Sequence, residues 1–132
     1  MSERLTRLVL RLARNPEAGF PDGDDRRGYV LTAPLNNEDR LDLEAWRRLR
    51  LHCTVRRFSP DKREDADGWL THRGAQWSFH YDEDGEGPDE PTYRLGDHRL
   101  AIGDYVTIEE FGEKPLTYRV TEAMPIAVGA DN

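Results

Sequence analysis

Imidazole, thiol and carboxylate are the side chains suited to metal ligation, nucleophilic attack and proton transfer, and this 132-residue chain carries four histidines, one cysteine and 26 acidic residues. A metal clip needs its ligands on one face of an element. His72 and His80 flank a predicted hairpin, and a register that sets residue 72 opposite residue 77 sends the two imidazoles to opposite faces, although a one-residue bulge would reverse this. His52 and Cys53 are adjacent in a predicted strand and must also diverge. No metal site and no cofactor are expected. Cys53 alternates with apolar neighbours, which predicts an inert buried thiol in place of a nucleophile. A sole cysteine also excludes an intramolecular disulfide framework and agrees with a reducing, cytoplasmic compartment.

The carboxylates offer two patterns. Asp82, Asp84 and Glu86 fall at positions 1, 3 and 5 of a calcium loop, with Gly87 at the turn, but position 12 is Tyr93 where a bidentate glutamate is required. A solvated charge run is the expectation for residues 82 to 91. Asp104 with Glu109 or Glu110 could do general acid and base work if one cleft gathered them, so a small hydrolytic enzyme using Asp, Glu or His is carried as an alternative.

The basic residues offer a third pattern. Arg47, Arg48, Arg50, Arg56 and Arg57 form a band that could serve as an interaction surface, and Trp69, Trp77, Phe79 and Tyr81 could supply stacking platforms for a single-stranded nucleic acid. The same arginines could instead face the acidic half of the chain. Residues 1 to 57 carry a net charge of +3 and residues 58 to 132 carry −10, for a total of −7. Cross-strand pairing between the halves, or a two-signed surface that orients a charged partner, would follow from this asymmetry.

These residues must be positioned by short strands. Leu8, Leu10 and Leu12 alternate with Arg7, Val9 and Arg11, a period-2 pattern, although Leu5, Leu8 and Leu12 also suit a helix. Residues 15 to 27 are turn-rich, and Tyr29, Leu31 and Ala33 form a strand that Pro34 ends. Asp42 caps a short helix over Leu43 to Arg48. Leu49, Leu51, Cys53 and Val55 then alternate as a strand. After a loop from Ser59 to Gly68, Trp69 to Tyr81 reads as a hairpin around Gly74, with Leu70, Trp77, Phe79 and Tyr81 on one face and Trp69, Ser78 and His80 on the other. Val106 and Ile108 point inward from a strand that follows the Gly103-Asp104 turn. A turn near Gly112 leads to Leu116, Tyr118 and Val120.

The sum is a mainly β domain: a small antiparallel β-barrel or sandwich of about seven short strands with one short helix, spanning residues 1 to 126, with a flexible tail over 127 to 132. The barrel is preferred because closure removes exposed edges. No apolar run is long enough to span a membrane, and Leu5 to Ala13 is too short and too interrupted by arginine for a secretory signal. No reactive constellation survives these spacing tests. The expected function is therefore a non-catalytic protein-interaction or accessory module, with a protein partner or self-association and no membrane, and with nucleic acid as a further alternative.

Overall fold

The alternation of leucine with arginine at the start of the chain dictates a ribbon with one face that must leave water, and the strands that follow repeat the demand. The computed structural model, which describes residues 4–74, 76–81, 90–93, 95–109 and 114–127, meets it by closing the ribbon on itself. Strands β1 (Arg4–Leu12), β2 (Asp24–Ala33), β3 (Thr54–Phe58), β4 (Ala66–Arg73), β5 (Gln76–Tyr81), β6 (Glu90–Tyr93), β7 (Tyr105–Ile108) and β8 (Leu116–Ala127) pair antiparallel in chain order, and β8 returns to β1. Helix α1 (Leu43–Leu49) lies between β2 and β3. Closure settles the choice between barrel and sandwich.

An eight-stranded barrel is just wide enough to be filled by its own side chains. Here Leu8, Leu10, Tyr29, Leu31, Val55 and Leu70 enter from one half of the wall, and Phe79, Val106, Ile108, Tyr118 and Val120 from the other, all essentially inaccessible. Tyr29 sits at the centre, its ring 5.2 Å from that of Phe79 and 5.1 Å from that of Tyr118, the latter edge-on. Tilted rings at such spacing add attraction beyond the area they bury.

Local chemistry explains the connections. Gly74 takes a φ of +63°, which fits a tight hairpin turn, and the register His72 opposite Trp77 and Leu70 opposite Phe79 is the one the alternation predicts. Asp42 caps α1 by accepting the Ala45 N–H at 3.1 Å, so the helix starts where its sequence predicts.

Three expectations are corrected. The strand over Leu49 to Val55 does not form: α1 continues to Leu49, a 3-10 turn covers Arg50–His52, and β3 begins only at Thr54. Leu49 lies one helical turn beyond Trp46, and both bury against the core, whereas Leu51 is 80% exposed. The helical stripe therefore prevails over a four-residue alternation. Cys53 still reaches the core, with its thiol donating to the Leu49 carbonyl at 3.3 Å.

The acidic loop is shorter than expected, because Glu90 and Pro91 already belong to an eighth strand, β6. Thr92 ties it down by donating its hydroxyl to the Trp77 carbonyl at 2.7 Å. The other ends also extend: β2 starts at Asp24, β4 at Ala66, and β8 runs on to pair Ala127 with Arg4 across a bulge between Val9 and Leu10. The rest of the expected tail, 128–132, and the turn near Gly112 lie outside the described residues.

Candidate functional site on the outer face of β1 to β4

With the interior filled, the side chains that alternate outward carry whatever chemistry the wall presents. Two rows of them cross β1 to β4. Arg7 stands opposite Thr32 on one side and Met124 on the other, while Thr54 stands opposite Trp69, which in turn faces His80. In the next row Val9 faces Val30, Val30 faces Arg56, and Arg56 faces Asp67. The rows enclose a shallow groove of about 480 Å³ lined by Arg7, Val30, Thr32, Thr54, Arg56, Asp67 and Trp69.

The groove is amphipathic. Trp69 and Val30 are half-buried, and Val9 is only 4% exposed although it points away from the core. Arg7 and Arg56 are exposed, and neither has a hydrogen bond or ion pair among the described residues. Several other arginines are engaged: Arg63 with Asp61 at 2.8 Å, Arg99 with Asp104 at 3.1 Å, and Arg11 with Thr121 at 2.7 Å and Glu122 at 3.2 Å. Two available cations beside an accessible indole are suited to an anionic or hydrogen-bond-accepting partner with an apolar flank.

The structure distributes the five arginines of the predicted band over three places. Arg47, Arg48 and Arg50 are exposed at the end of α1 and on the turn after it, and Arg47 pairs with Glu44 at 3.7 Å. Arg56 belongs to the outer groove. Arg57 shares the inward parity of Val55 and lies half-buried, 5.2 Å over the ring of Tyr81, a cation–π contact. Of the four aromatics, Trp69 alone points outward; Trp77 and Phe79 are buried and Tyr81 sits under Arg57. Arg7, absent from the sequence prediction, is the missing member of the groove. Its signal was its alternation with Leu8, which fixes its direction but not its neighbours.

The remaining candidates do not converge. His52 is exposed on the turn after α1, His72 points inward at one end of the barrel, His80 points outward beside Trp69, and His98 follows the turn Leu95–Asp97. Among the described residues no group of three or more His, Cys, Asp or Glu could hold a metal ion. Burial without a cationic neighbour pushes the Cys53 thiol up to about 12, the reverse of what activates a nucleophile.

The Arg99 guanidinium and the Ala101 N–H hold Asp104 below the usual carboxylate range and commit it to its turn. Glu109 lies beyond the far end of β7, roughly 16 Å along an extended chain from Asp104. Asp61, through Arg63, and Asp24, through the N–H of Arg26, are lowered likewise. A general acid needs the opposite shift. Glu110 and residues 82–89, with the calcium-loop pattern, lie outside the described residues. The domain thus lacks an obvious catalytic or metal-binding constellation among the described residues, and they include no helix long and apolar enough to cross a membrane. Comparison with protein-family models, with curated proteins and with solved structures returns no match.

Proposed function

We propose that the chain is a non-catalytic interaction module that docks a protein partner, or a second copy of itself, on the outer face of β1 to β4. The observation that carries this reading is the half-buried Trp69 with Arg7 and Arg56, both lacking partners among the described residues, on the same groove. Tryptophan and arginine are the residues that most often concentrate binding energy at the centre of an interface. Closure of the barrel directs the partner to a face, since the eight described strands leave no open sheet edge among them for strand addition. The lowered carboxylates and the raised thiol support a non-catalytic role. The single buried thiol supports work in a reducing, cytoplasmic setting.

The test compares wild type with Trp69→Ala and with Arg7→Glu/Arg56→Glu, all three checked for unchanged circular dichroism. Quantitative capture and analytical ultracentrifugation then follow the same bound species in each. About a tenfold or greater loss of binding in both variants is expected from hot-spot behaviour. Equal binding by all three would refute the assignment of this face.

The same geometry favours a second reading, because a solvent-facing indole flanked by cations also suits a base and its phosphates. Fluorescence anisotropy with a labelled single-stranded oligonucleotide decides between them. Salt-dependent binding that Arg7→Glu/Arg56→Glu abolishes would replace the protein partner with a nucleic acid.

A further inference from the structure

The end of the barrel beneath α1 holds a cleft of about 480 Å³ that shares no residue with the outer groove. Its walls come from the β4–β5 hairpin, β6 and the turn Leu95–Asp97, with Leu43 of α1 at one side. Barrel mouths are common places for small ligands, and this volume is within the usual range for them.

Three rings meet here. His72 and Trp77, opposite one another on the inward face, have centroids 4.6 Å apart, and Trp46 from α1 stands 6.0 Å from His72 and 5.6 Å from Trp77. Trp46 donates its indole N–H to the Leu70 carbonyl at 3.0 Å. Trp77 is 6% exposed as a residue, and its Nε1–H meets no acceptor among the described residues but keeps contact with solvent at the cleft it lines. It is therefore a donor that a ligand in the cleft could engage. Gly96 packs against that edge so closely that a Cβ at position 96 would lie 2.8 Å from Nε1.

The other polar groups define what would complete the site. Gln76 donates both amide hydrogens, to the Trp77 carbonyl at 2.7 Å and the Thr92 carbonyl at 3.0 Å, so its Oε1 is left as an acceptor. Asp97 places an exposed carboxylate on the rim. Leu43 and Leu95 supply apolar wall. The cleft therefore presents one unpartnered donor, an aromatic and aliphatic lining, and a carboxylate on its rim.

We propose that this cleft binds a small arylalkylamine: a flat ring against Trp77 and Leu95, a ring hydroxyl or ring nitrogen accepting the Trp77 N–H, and an ammonium group facing Asp97. The carboxylate disfavours an anionic ligand of the same shape.

The test uses tyramine as the probe, with phenethylamine lacking the ring acceptor and 4-hydroxyphenylacetate carrying the opposite charge. Titrations are followed at the Trp77 indole N–H resonance, assigned by Trp77→Phe, and by calorimetry. Tyramine should shift that resonance saturably and bind more tightly than either analogue. Asp97→Asn, at an exposed position that leaves the core intact, should weaken tyramine about fivefold, the value of one solvent-exposed charge pair, and leave phenol unaffected. Gly96→Ala should abolish the shift. No saturable shift at about 10 mM tyramine, the upper reach of a millimolar-class site, would overturn the proposal. So would equal binding of 4-hydroxyphenylacetate, or unchanged tyramine affinity in Asp97→Asn.

Discussion

Raising the pH should both expose the character of Cys53 and weaken the fold. The thiol has no solvent exposure, donates to the Leu49 carbonyl at 3.3 Å, and has its pKa raised from 9.0 to about 12 by desolvation. At pH 8 an unfolded thiol with a pKa of 9.0 is roughly one-tenth thiolate, whereas the native one is about one part in 10⁴. Iodoacetamide, which reacts with thiolate, should therefore alkylate the native protein on the order of 10³ times more slowly than the urea-unfolded chain.

The same shift sets the sign of a stability change. Because the folded-state pKa is the higher one, the native protein keeps a proton that the unfolded chain releases, so the contribution is intact below pH 9.0 and declines as pH rises toward 12. Between pH 8 and pH 10 the loss is about 1.4 kcal/mol, or about 5 °C in Tm for a domain of this size. Urea denaturation at both pH values, with Cys53→Ala as the reference that removes this proton and retains every other alkaline titration, isolates the effect. Equal pH dependence in wild type and Cys53→Ala, or equal alkylation of native and unfolded protein, would refute the assignment of an inert, desolvated thiol.

Arg11 and Arg119 stand directly opposite one another across β1 and β8, so Arg119→Glu should stabilise the protein by about 0.2–1 kcal/mol in low salt and by less in high salt, as thermal unfolding would show. Asp42→Ala removes the acceptor of the Ala45 N–H and should cost about 1 kcal/mol in urea denaturation. Thr92→Val deletes the buried hydroxyl that anchors β6 on the Trp77 carbonyl; a loss of about 1–2 kcal/mol, with faster amide exchange confined to β5 and β6, is the expected outcome.

The hairpin around Gly74 was readable because a glycine turn and strict alternation specify one register, and that register alone sends His72 inward and His80 outward. Residues 49 to 55 were not, because four apolar residues at every second position fit a strand while Trp46 and Leu49 fit a helix. Only the packing of that pair against the core decides. Strand β6 has four residues, one of them Pro91, and owes its place to Thr92 and to neighbours on both sides, none of which alternation reveals.

The late half of β8 is hidden in the same way by Pro125 and by the extra residue at the Thr121 bulge, which turns its hydroxyl to the Val9 carbonyl at 3.3 Å. The charge asymmetry misled in part. Arg11–Glu122 joins the two halves, but Asp24 with Arg26 and Arg27, Asp61 with Arg63, and Arg99 with Asp104 are local pairs.

This locality is what gives the outer groove its chemistry. A chain whose opposite charges paired across the barrel would have neutralised Arg56 on Asp67, its neighbour in the β3–β4 register. The two form no ion pair, and Arg7, flanked by Thr32 and Met124, has no carboxylate opposite it in either neighbouring strand. Asp24, Asp61 and Asp104 are engaged by arginines close to them in the chain, which leaves Arg7 and Arg56 on the strands without a carboxylate partner among the described residues, and the filled interior gives those two cations no way inward. A groove with a net negative lining would favour the opposite partner. For the docking proposed on this face, the excess of arginine over aspartate, with Trp69 in the same groove, makes an acidic and partly apolar surface the complementary one. For the proposed partner, high salt should then slow association more than it speeds dissociation, because exposed cations act mainly during encounter while the indole acts after docking.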